Sequence, residues 1–113
     1  MTVDFGRLNI NTAGTPEKFS GDLAAQAVIR AASVVTSITF KAPAANTGNV
    51  YLGRLGRDTT TATVSSTYGI TLEPGDSFSF DNISEKFDNF QGDAAVNGED
   101  IEWAAVFQAG VTA

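Results

Sequence analysis

The sequence predicts an all-β chain folded as an antiparallel sandwich or barrel, and three observations carry that expectation. Apolar and polar side chains alternate with a period of two in several separate runs. Turn-forming residues recur roughly every 8–12 residues between those runs. Of the 113 residues, 42% are hydrophobic and 18% charged, which supplies one small core and too little charge for a disordered chain. A chain of this length makes one domain, residues 1–113, with no room for a separate catalytic unit.

The elements follow in order. Val3, Phe5, Leu8 and Ile10 mark a first strand, and residues 1–12 are expected to present it to a neighbouring molecule. Gly14, Thr15 and Pro16 break it. The alanine-rich stretch from Asp22 to Ser33 has the propensity and the capping aspartate of a helix, but the flanking pattern requires a connecting or edge strand, so part of it is read as strand. From Val34 to Ala42 the alternation sends Thr36, Ile38, Phe40 and Ala42 to one face and Ser37, Thr39 and Lys41 to the other. Asn46, Thr47, Gly48 and Asn49 supply residues that tolerate positive φ before the short run Val50, Tyr51, Leu52. Thr59 to Thr63 suits an exposed strand or loop. After Ile70 and Leu72, Pro74 fixes φ at the second position of a tight turn and Gly75 is free to take the left-handed third. Phe78 and Phe80 continue the alternation. Gly92-Asp93 and Asn97-Gly98 punctuate the C-terminal third, and Ile101, Trp103, Ala105 and Phe107 then alternate with Glu102, Ala104, Val106 and Gln108 in the most regular run of all.

Composition excludes most enzyme chemistry. With no histidine and no cysteine, the chain can build no histidine-based triad, thiolate nucleophile, zinc cluster, haem or iron-sulfur site. Seven basic against thirteen acidic residues give a net charge of −6, which repels phosphate backbones and anionic membranes, so neither nucleic acid nor membrane is expected as a partner. No run approaches the ~18 apolar residues of a membrane span. Asp4 and Gly6 precede any apolar run, so the N-terminus is not read as a secretory signal.

Carboxylates are the remaining acid-base groups. Asp88, Asp93, Glu99, Asp100 and Glu102 are of the oxygen-ligand type that calcium takes, but Asp93 to Asn97 lacks acids at alternate positions, and the group reads as a solvated acidic face. No metal or cofactor is expected. Paired-carboxylate glycoside hydrolysis needs a cleft as well as two acids, which a domain this small seldom provides. Arg54 and Arg57 flank Leu55-Gly56 and are either an anchor on an acidic partner or ordinary loop charge. Trp103, in phase with Ile101 and Phe107, is expected in the core, with a sugar-stacking surface as the alternative. Phe87 and Phe90 either close the end of the sandwich or form an exposed platform on which a sugar stacks, and Tyr51 is a further candidate stacking surface.

Taken in order, Lys41-Ala42, the run from Asn46 to Gly53, the run from Gly69 to Ser77 and the run from Gly98 to Trp103 resemble small tailed-bacteriophage virion proteins built on a jelly-roll-like β-sandwich. The resemblance covers roughly residues 34–107. Some members coat or cement the capsid and others decorate tails or fibres. Cupins share the Pro-Gly-Asp turn before a strand, but their metal site rests on histidines that this chain lacks. The resemblance implies a single jelly-roll-like sandwich of about seven or eight strands, without catalytic residues, in which Asn46, Gly48, Tyr51, Gly53, Pro74, Gly75 and Trp103 shape the fold. Val3, Phe5, Arg54 and Arg57 are then the candidate contacts. The implied partners are the major capsid protein and further copies of the chain, with a trimer favoured because capsid lattices present local threefold positions. The implied location is the virion. The alternative is a tail, neck or fibre module that binds a carbohydrate or receptor.

Overall fold

The computed structural model describes residues 2–19, 34–54 and 69–108, with the side chains of Thr2 and Arg54 outside that description. Within it the alternating runs become strands: β1 (Thr2–Ile10), β2 (Glu17–Lys18), β3 (Val34–Lys41), β4 (Val50–Arg54), β5 (Ile70–Leu72), β6 (Ser77–Lys86), β7 (Phe90–Ala94) and β8 (Glu99–Phe107). One 3-10 turn, Phe87–Asn89, joins β6 to β7. The expected helix-or-strand segment 22–33 and the threonine-rich 59–63 lie outside the described residues.

The strands form two four-stranded antiparallel sheets, ordered β1-β8-β3-β6 and β2-β7-β4-β5. First pairs with eighth, second with seventh, third with sixth and fourth with fifth. The chain is therefore one long hairpin, doubled back and rolled until β8 meets β3 in one sheet and β7 meets β4 in the other. This is the strand order of an eight-stranded jelly roll, so the expected sandwich is the fold observed.

The core lies between the sheets and follows the alternation. Ile101, Trp103, Ala105 and Phe107 of β8 are buried, joined by Leu8 and Ile10 of β1 and by Ile38 and Phe40 of β3. Aromatic rings fill the centre: Phe19 stands 4.7 Å from Phe40, Phe40 5.8 Å from Phe90, and Phe87 4.8 Å from Trp103 (ring centroids). Each such side chain contributes about 1.5–3 kcal/mol on leaving water. Gly92 makes this closeness possible, because a Cβ there would lie 2.6 Å from Ile101 Cδ1 and 3.1 Å from Phe19 Cζ.

Three local expectations are corrected. Thr36 was expected inside with Ile38, but a bulge between Val35 and Ser37 puts the fully buried Val35 opposite Phe107 instead. Gly92-Asp93, expected as a turn, lies inside β7, every residue of which is buried. No residue from Asn46 to Asn49 has positive φ. The Pro74-Gly75 turn forms as expected, with Gly75 at φ +92 and the Asp76 N–H donating to Glu73 O at 2.9 Å, and Phe80 of the following strand packs on the core while Phe78 stays 39% exposed.

Candidate interaction face

Two anchors hold the loop between β3 and β4 against β8. The buried Asn46 side chain donates to Asp100 O at 2.8 Å and accepts from the Asp100 N–H at 3.3 Å, acting as one more peptide group beside the strand. Glu99, 9% exposed, accepts at one oxygen from the Thr47 N–H (2.6 Å), the Thr47 hydroxyl (2.9 Å) and the Gly48 N–H (2.8 Å). Burial pushes this carboxyl up, but the bonds from Gly48 and Thr47 together outweigh burial and leave it below its ordinary value. Gly48 serves by closeness rather than by left-handed backbone: a Cβ would lie 2.9 Å from Val96 Cγ2.

The remaining acids are also engaged. Asp93 is buried and accepts from the Gly14 and Ala94 N–H groups at 3.0 and 2.8 Å. Asp88 pairs with Lys18 at 3.3 Å. The solvated acidic face expected from the sequence is thus in part a set of internal clamps. Among the described residues no three carboxylates come together to hold a metal.

The aromatic platform does not form from the residues named for it. Tyr51, Phe87 and Phe90 are all buried, Phe87 wedged between Trp103 and Phe107, so none of the three offers a ring face to a sugar. On the second sheet Tyr51, Gln91 and Asp93 point away from the core and are nevertheless buried. Gly53 pairs with Gln91 beside them. Arg54 ends β4 and Arg57 lies outside the described residues.

Solvent instead meets the outward face of the first sheet, which the register resolves into rows. Val3, Val106, Ser37 and Asp81 form one; Phe5, Ala104, Thr39 and Ser79 the next; Arg7, Glu102, Lys41 and Ser77 the third. The face is apolar at the β1 corner and grades into hydroxyls at β6, where Thr39 and Ser79 share a 2.7 Å hydrogen bond and Ser37 donates to Asp81 at 3.3 Å. Arg7 closes the apolar corner by bonding Glu102 at 2.9 Å. Val3 and Phe5 are 67% and 77% exposed, the most open of the large apolar side chains among the described residues. Their partners Ala104 and Val106 were visible in the sequence as apolar residues in the outward phase of β8, a signal that reasoning from the core alone passes over.

Among the described strands β1 pairs with β8 alone. Ile10 O accepts from the Gly98 N–H at 2.7 Å, which turns the backbone groups of the even residues of β1 toward β8. The Phe5 N–H is held meanwhile by the neighbouring Asp4 carboxylate at 2.9 Å. Comparison with family models, with curated proteins and with solved structures gives no match for the chain.

Proposed function

We propose that this chain is a non-enzymatic structural protein of a tailed-bacteriophage virion, a decoration or cement protein that binds the outer shell and bridges neighbouring capsid subunits. The observation that supports the reading best is the apolar corner of the sandwich at which Val3 and Phe5 stand exposed beside Ala104 and the half-buried Val106. Exposed apolar surface is what a protein keeps for contact with another protein. The jelly-roll order is in keeping, being common in viral coat domains as well as in lectins and cupins. The mechanism is adhesion. Each contact of about 1,600 Å² gives modest affinity, and self-association multiplies it through effective concentration. Internal pressure must then break many contacts before the shell opens.

The test mixes purified chain with shells stripped of it and sediments them. Saturable binding, with a rise in the temperature at which shells disrupt, is the expected result, and a Val3→Ser, Phe5→Ser variant should bind at least about tenfold more weakly. A protein that ignores shells but is retained on host-surface glycans would overturn the reading.

A further inference from the structure

We propose that Asn97-Gly98 is a self-modification site gated by the end of β1: the pair closes to a succinimide, and Asn97 becomes aspartate or isoaspartate, only when that strand end lets go of it.

Asn97 is the one asparagine in the chain that a glycine follows. In such a pair the glycine nitrogen attacks the asparagine Cγ and the Cγ–Nδ2 bond breaks. Ammonia leaves, carrying the proton that the glycine nitrogen gave up. Water then opens the five-membered imide at either carbonyl, so the sequence of steps needs no other reactant. Glycine favours closure because no Cβ crowds the approach. Asn97 and Gly98 are both exposed, within reach of water and base.

The fold nevertheless ties down both reacting groups. Asn97 Oδ1 accepts from the Ala13 N–H at 2.7 Å, and the Gly98 N–H donates to Ile10 O at 2.7 Å. Gly98 O accepts from Asn9 Nδ2 at 2.9 Å, and the same amide donates to Asp100 Oδ1 at 2.9 Å. Ring closure needs the nitrogen and Cγ brought together in an aligned geometry. The Gly98 nitrogen must also surrender its proton, which is shared with Ile10 O, a carbonyl far too weak a base to take it. Rotation of the Asn97 amide costs the bond to Ala13. The holding partners, Asn9, Ile10 and Ala13, all belong to the end of β1 and the turn after it, so one local opening releases both groups while the core stays folded.

The gate works once. Isoaspartate carries the chain through its former side chain and adds one methylene to the backbone directly before Gly98, which displaces the N–H that pairs with Ile10. A molecule that has reacted is left with this end unlatched.

Peptide mass spectrometry of Asn97 in the full chain, incubated at mildly alkaline pH, tests this. The folded chain should convert at least about tenfold more slowly than the urea-unfolded chain, because several hydrogen bonds must part first. Its rate should follow hydrogen exchange of the Gly98 amide. Ala13→Pro is the informative variant. The Thr15 N–H donates to Thr12 O at 3.1 Å and Gly14 takes φ +88 while Ala13 keeps a negative φ, which is a type II turn with Ala13 at the position that proline favours. The substitution therefore keeps the turn and deletes the donor to Asn97, and it should speed conversion about threefold or more. Asn9→Ala, which releases Gly98 O, should accelerate it by a separate route. Gly92→Ala overpacks the core without touching the latch and should leave the rate unchanged. Equal rates in the folded and unfolded chains, no acceleration in either folded latch variant, or an equal acceleration by Gly92→Ala would overturn the proposal.

Discussion

A single carboxylate, Glu99, ties the loop between β3 and β4 to the first residue of β8 through three donors on one oxygen. Glu99→Ala leaves the Thr47 and Gly48 N–H groups without their acceptor, and a loss of about 2–3 kcal/mol by urea denaturation is expected. The carboxyl sits below its ordinary value of 4.5 in the folded chain. Its contribution is therefore complete above that value and is lost as the pH falls through the folded one. The stability gap between wild type and Glu99→Gln should accordingly be present at neutral pH and vanish in acid; a gap that widened in acid would contradict the assignment. Gly92 is the other residue on which packing turns. Gly92→Ala should cost about 1–3 kcal/mol by overpacking, and Ile101→Val in the same chain, which removes the clashing Cδ1, should recover part of that, a coupling readable in a double-mutant cycle. Pro74-Gly75 was legible from sequence because a turn has a residue code, whereas the grip of Glu99 was not, because the donors it meets lie some fifty positions away.

Strands declared themselves wherever one face was wet and the other dry. β3 and β8 could be read from alternation alone, and β8 was right residue by residue. β7 could not, because Phe90 to Ala94 is buried on both faces and its glycine and aspartate look like a turn. β2 has two residues and no period to show. Bulges are the other blind spot, since they reverse the phase of everything beyond them. β3 slips between Val35 and Ser37, and β6 slips at Asn82, so that Phe80 and Ile83, an odd number apart, both pack on the core. Asparagine is the residue that tolerates this left-handed backbone best after glycine. Asn82→Ala should lower stability by about 1 kcal/mol in equilibrium denaturation, while Asn82→Gly should leave it nearly unchanged. Equal effects of the two would mean that the side chain, not its backbone, makes the bulge.

At the scale of the molecule, net charge works against the self-association in the proposed function. Each copy carries −6, which opposes the approach of a second copy. Added salt screens that repulsion, so the self-association proposed for the chain should tighten several-fold between about 0.05 and 0.5 M salt in sedimentation; weakening would mean that ion pairs hold the copies together instead. The sandwich was legible from the repetition of short alternating runs, but the pairing of first strand with last was not, since nothing local encodes a partner some ninety to a hundred residues distant. That pairing bears on how the protein resists load. Thr2 sits opposite Phe107, so tension applied through these two positions would unzip β1 from β8 one rung at a time, like a seam opened from its end. Tension entering along β1 from a docked neighbour would shear every rung of the β1-β8 ladder together. A molecule fastened by its edge is thus far harder to tear than the same molecule tethered by its tails, and single-molecule pulling in the two geometries should separate their rupture forces.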